Sequence, residues 1–311
     1  MCLPYPSKRQ SMAEGEKPVF LKRVRNGGIF LLPHELKIHR LAMEAQAENA
    51  PFTARLLGHR RGILSSELHI ERLEGRSPKH IGELGDVAAL IARVEASTNR
   101  LFNVQRMAID PQLDFFLSGA AQSRRYNITS ITSAYMRNNP PPFPEFEDIV
   151  QSCATSIAAN EALIAEAQPV LSHLDHFLKN FICTRDRLFL IDWGEGYIGR
   201  PGFDAGCFLM MMLRTHSLPR FEPEAIRFCR SYLRRTIGGP HADVVAAMNR
   251  VFLPRSLWYL LRPDIVSRFQ AGGKVEEWRT KLLLLGRFAS GRFWRDAGLF
   301  PYRSPSVRLT V

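Results

Sequence analysis

Cysteine is scarce in this chain, and its few cysteines form no pattern. Cys2, Cys153, Cys183, Cys207 and Cys229 are odd in number and far apart, with no C-x-x-C pair. That argues against a disulfide framework or a cysteine-built zinc site. It points to a reducing compartment, with the cytoplasm as the expectation. Long apolar runs are missing too: the strongest, Cys207 to Leu213, falls far short of the roughly 18 residues that suggest a membrane span. No continuous apolar segment follows the basic residues near the N-terminus, so no secretory leader is expected. Acidic residues are few in the C-terminal third. From Arg214 onward there are 18 Lys and Arg against 7 Asp and Glu, while the first 213 residues are nearly neutral within a total charge of +12. A solvated basic helical surface would account for this, and so would attraction of an anionic partner. No RNA- or DNA-binding motif accompanies the charge, so nucleic acid is not expected as a partner. No repeat or low-complexity run is present, and 311 residues suffice for two lobes with a sizeable core.

What is present is concentrated between Val170 and Gly206. H-x-D-x-x-x-x-N (His173, Asp175, Asn180) is followed by an apolar run that ends in D-W-G (Asp192, Trp193, Gly194). Phe181-Ile182-Cys183 and Leu188-Phe189-Leu190-Ile191 are β-prone, and polar Thr184 to Arg187 between them reads as a hairpin loop. Folding there sets Cys183 opposite Leu188 and Asn180 opposite Ile191, so Asp192 falls one step past Asn180 at the open end. Asp175 enters from the same end. Two carboxylates and an amide oxygen therefore converge. Hard oxygens of this kind suit Mg²⁺ whose shell phosphates complete, and a separate carboxylate can orient a hydroxyl and take its proton.

This spacing is that of a kinase catalytic loop followed by a metal-binding loop. The stretch resembles the aminoglycoside phosphotransferase/choline kinase family of small-molecule kinases. The resemblance extends to a G-x-x-x-x-D segment, Gly199 to Asp204. It implies an α+β, two-lobed, protein-kinase-like fold with a small, shortened β-rich N-lobe and a larger helical C-lobe. It implies ATP and Mg²⁺ as cofactors and a small-molecule hydroxyl acceptor. In this family's terms Asp175 is the base and His173 braces its loop. Asn180 and Asp192 hold the metal, and Asp204 bonds the loop backbone. Taken singly, His173 would also suit a core and Asp204 a helix N-cap. His173-x-Asp175-His176 is also a run of metal-capable ligands, as in hydrolases, but no H-x-H lies upstream and the other histidines are isolated.

Residues 1–12 read as a tail, 13–75 as the nucleotide lobe and 76–311 as the helical lobe. Val19 to Arg25 alternates as a strand with Phe20, Lys22 and Val24 on one face. Lys22 matches the family's phosphate-binding lysine, although an edge-strand lysine reaching water would look the same. Asn26-Gly27-Gly28 suggests a hairpin turn into Ile29 to Leu32. A helix from Pro33 to about Ala47 puts Glu35, Ile38, His39 and Ala42 on one face. Glu35 then either pairs with Lys22, as the resemblance implies, or serves as a favourable N-terminal charge. The resemblance makes Glu71 to Gly75 the interlobe linker, with adenine bonded by the backbone of Glu71 to Leu73. Few residues precede the lysine strand, with one glycine, Gly15, where the family has a phosphate-covering loop. Without such a loop, a kinase fold that binds nucleotide and regulates without turnover is the alternative. Further helices are expected over Glu83 to Phe102 and Glu145 to Ala167, with an irregular stretch between them that includes Pro140-Pro141-Pro142. Beyond these, Ala205 to Arg214, Pro223 to Ile237, Ala242 to Tyr259 and Val275 to Phe293 read as helices, with breaks at Pro254 and at Ala271-Gly272-Gly273.

Overall fold

Alternation in the N-terminal strands is what builds the first layer. The computed structural model describes residues 19–25, 32–47, 50–105, 109–117, 126–237 and 241–299. The tail, Gly15 and the expected turn at Asn26 to Gly28 lie outside the described residues. Strands β1 (Val19–Arg25), β2 (Leu56–Arg61) and β3 (Ser65–Glu71) form an antiparallel sheet in the order β1-β3-β2. Ser66, Leu68 and Ile70 of β3 are buried. Helix α1 (His34–Ala45) starts after Pro33, whose fixed φ suits a helix entrance, and buries Glu35, Leu36, Ile38, His39, Leu41 and Ala42. Leu36 packs with Leu68, Ile70 and Ala54 into a small apolar cluster under the sheet, joined at its edge by Leu73 and Ile191.

The larger part is helical. It comprises α2 (Val87–Gln105), α3 (Ile128–Met136), α4 (Phe146–Ala159), α5 (Glu161–Glu166), α6 (Phe203–Thr215), α7 (Leu218–Leu233), α8 (His241–Leu260), α9 (Pro263–Ala271), α10 (Val275–Ala289) and α11 (Arg292–Asp296). Between α5 and α6 lie four short strands. Strand β4 (Val170–Ser172) pairs with β7 (Tyr197–Gly199), and β5 (Phe181–Cys183) pairs with β6 (Leu188–Leu190). Backbone bonds stitch the N-terminal segment to the second pair: Leu190 N–H donates to Phe52 O (2.8 Å), and Arg76 and Cys183 exchange N–H···O bonds of 3.1 and 2.9 Å. The Trp193 indole donates to Thr53 Oγ1 at 2.8 Å in the buried interior. Among the described residues no helix is long and apolar enough to cross a membrane.

The α+β class and the sheet-then-helices order agree with expectation, but several details differ. The helix expected over Glu145 to Ala167 is two helices parted at Asn160, whose side chain donates back to Ser156 O (2.6 Å) instead of letting the turn continue. The stretch expected to be irregular contains α3, capped by Asn127 Oδ1 on the Ser130 N–H (3.0 Å). Pro254 does not break its helix. It lies inside α8, where residues Val251 to Leu257 are all buried and packing outweighs the missing hydrogen bond.

Helix α6 is the hub, buried from Phe203 through Leu213. It lies against α8 so closely that a Cβ on Gly206 would overlap the Met248 carbonyl. Gly206→Ala is expected to destabilise the fold by about 1–3 kcal/mol through overpacking, read as a lower denaturant midpoint with an unchanged slope.

Candidate active site

Strand β4 is fully buried and delivers the chain into the loop from His173 to Asn180. One carboxylate shapes that loop. Asp204, in the first turn of α6, accepts the His173 N–H at Oδ2 and the Leu174 N–H at Oδ1, both at 2.9 Å. It is not the helix N-cap: Gly202 holds that place, in a left-handed conformation (φ 103°) that suits glycine. Leu174 is itself left-handed, at φ 59°. Its carbonyl is gripped from the other side by the Arg255 guanidinium of α8 and by the Cys207 thiol (3.1 Å). A non-glycine residue keeps such a backbone only where surrounding bonds enforce it.

His173 is fully buried and directs both ring nitrogens at the backbone. Nε2–H donates to Ile191 O (2.8 Å) and Nδ1 accepts the Asp175 N–H (3.3 Å). Burial, helped by the neighbouring His176, pushes its pKa down to about 4. His173 is thus a neutral brace whose nitrogens are both engaged, which leaves the metal-hydrolase alternative without one of its ligands. His176 is also buried. Neither of its ring nitrogens has a hydrogen-bond partner, and burial, with a smaller push from Arg255, lowers its pKa to about 3.

The expected hairpin register is present. Cys183 faces Leu188, Phe181 faces Leu190, and the Ile191 N–H donates to Asn180 O at 2.9 Å. Asp192 therefore follows one step past Asn180, with its own backbone left-handed (φ 66°). The Asn180 Nδ2 donates to Asp175 twice, to the carbonyl (2.8 Å) and to Oδ2 (2.7 Å). With Nδ2 spent there, Asn180 Oδ1 is turned to the other side.

Lys22 reaches this place from β1. Its ammonium bonds Glu35 Oε1 at 2.6 Å and Asp192 Oδ1 at 2.7 Å, joining the sheet, α1 and the hairpin. Burial opposes the Lys22 charge, yet Glu35 and Asp192 outweigh it and hold the ammonium above its ordinary pKa. Burial also pushes Asp192 up, but attraction to Lys22 prevails and leaves that carboxyl below its usual value. At Glu35 burial prevails over Lys22, and the carboxyl lies above its usual value.

The structure thus brings Lys22, Glu35 and Asp192 together, joins Asp175 to Asn180, and ties His173 to Asp204. Glu71 and Leu73 stand apart from these bonds. The Glu71 N–H is taken by Arg55 O (2.8 Å), and Leu73 borders the apolar cluster that includes Ile191. Sequence reasoning missed Arg255 and Cys207 as supports of the loop. A weak signal existed for Arg255: a charged residue in the apolar run V-F-L-P-R-S-L-W.

The site thus combines a loop braced by a buried carboxylate, a bonded Asp–Asn pair and a lysine bridging two carboxylates. The family model described as APH, phosphotransferase enzyme family, matches residues 15–241. The chain belongs to the phosphotransferase enzyme family, and the small sheet followed by a larger helical part is the α+β arrangement expected. Among solved structures it is similar to a choline/ethanolamine kinase family protein from Mesorhizobium loti, at 15% identity over 86% of this chain and 78% of that one, with a TM-score of 0.46. It is also similar to a choline kinase from Cryptosporidium parvum, at 11% identity over 91% and 84%, with a TM-score of 0.48. A third is the aminoglycoside phosphotransferase APH(2'')-Ib, at 14% identity over 82% of each chain, with a TM-score of 0.45. No curated protein matches the chain.

The two buried histidines link stability to pH. Their folded pKa values, about 4 and about 3, lie below the ordinary imidazole value. Their contribution is therefore complete above about pH 6.5 and is lost as pH falls towards the folded values. The melting temperature is expected to decline from about pH 6.5 downward. His176→Leu, which removes two unbonded nitrogens, should flatten that decline without costing stability at pH 7.5.

Proposed function

We propose that this protein is an ATP-dependent phosphotransferase acting on a hydroxyl group of a small molecule. The observation that carries this is the Lys22 ammonium lying 2.7 Å from Asp192, a residue 170 positions away, beside the Asp175–Asn180 pair. Membership of the phosphotransferase family supports it. The residues fit Mg²⁺ and ATP. Asp192 offers a carboxylate that is 41% exposed and Asn180 an amide oxygen, both hard donors. Lys22, steadied by Glu35, would hold the phosphates, and the backbone from Glu71 to Leu73 would hold the base against the apolar cluster. When bound, Mg²⁺-ATP supplies the phosphoryl group and neutralises its charge.

The chain's own residues do the rest. Asp175 has Oδ2 engaged by Asn180, so Oδ1 receives the acceptor hydroxyl. Asp175 takes the hydroxyl proton as the acceptor oxygen bonds to phosphorus and ADP leaves. His173 and Asp204 keep that carboxylate in place, and alignment supplies most of the acceleration. Lys22 exchanges Asp192 for phosphate oxygens while retaining Glu35. In this proposal the nucleotide lobe is 13–75, the helical lobe is 76–311, and the hinge lies at Glu71 to Gly75. Free thiols at Cys153, Cys183, Cys207 and Cys229 fit a cytoplasmic protein.

Asp175→Asn is expected to lower turnover by on the order of 10²–10⁴-fold while ATP still raises the melting temperature. Lys22→Ala is expected to raise the KM for ATP about tenfold, consistent with loss of a charged contact. Full ADP release by purified Asp175→Asn would overturn the assignment. Nucleotide-dependent stabilisation without turnover on any hydroxyl compound would point to a regulatory protein instead.

A further inference from the structure

Two residues past Asp175, Phe177 turns its N–H back onto the Asp175 carbonyl at 2.9 Å. Over the Phe177 ring, 5.0 Å from its centroid, lies the guanidinium of Arg214, and the Tyr259 ring flanks the same guanidinium at 5.3 Å. Arg214 comes from the last turn of α6 and Tyr259 from α8, so two rings lie near one cation beside the loop that carries Asp175.

A cation in the last turn of a helix ordinarily answers the carbonyl end of that helix. Here Lys281 fills that role, donating to Leu213 O and His216 O at 3.0 Å each. Ion pairing does not explain Arg214 either. The carboxylates of the neighbouring segments face other cations: Glu224 faces His216 and Arg220, Asp264 faces Arg262 and Arg268, and Glu277 faces Lys281. Arg214 is solvent-exposed and is paired with no carboxylate among the described residues. Both rings lie within cation–π range of its guanidinium carbon, and its N–H donors meet no carboxylate among the described residues, which leaves them for a ligand. Two more arginines, one on α8 and one at the start of α9, contact this region or an aromatic ring of α8. Arg255 bonds the loop carbonyl of Leu174, and Arg262 stacks 5.2 Å from the Trp258 ring centroid.

We propose that Arg214, beside the rings of Phe177 and Tyr259, binds an anionic group of the acceptor, so that the substrate is a hydroxyl compound bearing a carboxylate or phosphate. This rests on the phosphotransferase reading and specifies its acceptor. A planar guanidinium matches such oxyanions with two parallel hydrogen bonds, and the same cation repels amino alcohols and polycationic sugars.

The test compares glycerol 3-phosphate and D-glycerate with glycerol and choline as acceptors, scored by ADP release and by mass of the product. Wild type, Arg214→Gln and Arg214→Lys are assayed. Arg220→Gln, whose guanidinium faces Glu224, is the control. Turnover is expected on an anionic acceptor, and the productive one distinguishes carboxylate from phosphate. Its KM should rise on the order of tenfold in Arg214→Gln, and less in Arg214→Lys, with the KM for ATP unchanged and the control like wild type. Turnover confined to glycerol or choline would overturn the proposal. So would a rise in the KM for ATP alone, which would assign Arg214 to the nucleotide phosphates. A second arm measures melting temperature in sodium sulfate against sodium chloride at equal ionic strength, with a larger sulfate gain expected for wild type than for Arg214→Gln. Equal gains, with no anionic acceptor turned over, would also overturn the proposal. A wild-type surplus without phosphotransfer to any acceptor would keep the anion site and remove the phosphotransferase reading.

Discussion

The Asp204 carboxylate, buried at the start of α6, accepts the N–H groups of His173 and Leu174, and the loop that carries Asp175 and Asn180 is placed relative to those two bonds. A buried carboxylate is expensive unless hydrogen-bonded, and backbone donors to a charge make some of the strongest bonds available to it. Burial pushes the Asp204 carboxyl up, and the two N–H bonds oppose that push. What the bonds hold is a strained turn: left-handed Leu174 is costly for a branched side chain, and its carbonyl needs Arg255 and Cys207 as well. Behind Asp204 stands another buried carboxyl. Glu95 of α2 accepts the Gly202 N–H (3.0 Å) and the Tyr232 hydroxyl (2.8 Å), and burial raises its pKa to about 8. A chain of buried polar contacts therefore runs from α2 and α7 through the start of α6 to the loop, and each group in it has its partner inside the protein.

The other half of the site is held differently. Lys22, Glu35 and Asp192 meet by charge rather than by backbone geometry, and the Lys22 and Asp192 side chains are 25% and 41% exposed. Water and salt weaken such contacts, so they add little to stability. That weakness suits the proposed task. Asp192 has to give up Lys22 to take a metal ion, and Lys22 has to turn to phosphates. A bond as firm as Asp204 to the loop would obstruct that exchange. The proposed base thus sits on a loop fixed by buried bonds, and the groups proposed to handle charged ligands are left exchangeable.

This division also governs what the sequence reveals. Hairpin register is set by counting from a polar loop, so the placement of Asn180, Ile191 and Asp192 could be worked out before any coordinates. Helix periodicity likewise aims Glu35 inward at the sheet carrying Lys22, while the strand pattern leaves Lys22 open between that partner and water; the two side chains meet at 2.6 Å. Local period carries no information about partners far along the chain. Arg255 and Cys207 on Leu174, Glu95 on Gly202 and Trp193 on Thr53 are long-range bonds whose residues look like ordinary members of apolar or mixed runs. Helix α3 escaped for a related reason: I-T-S-I-T-S-A-Y-M is rich in hydroxyl residues that compete for backbone bonds, and its start is decided by the Asn127 cap. Asn160 and Pro254 show local chemistry losing and winning by context. The Asn160 side chain ends a helix early, while the core around Pro254 carries its helix through.

The basic C-terminal third has a similar lesson. As a count it says little, because most of its cations are answered within the fold. Arg262 and Arg268 share Asp264, Arg287 faces Glu222 and Asp296, Arg279 faces Glu145, and Lys281 caps α6. Net charge of this kind sets solubility and long-range steering rather than recognition. Recognition needs a cation whose partner the fold does not supply, held still, next to the reacting group. Arg214 is the candidate for such a cation, since the rings of Phe177 and Tyr259 lie 5.0 and 5.3 Å from it and Phe177 belongs to the loop of Asp175, the proposed base. On the proposed reading, the charge that matters to the acceptor is a single position, picked out by the two rings beside it.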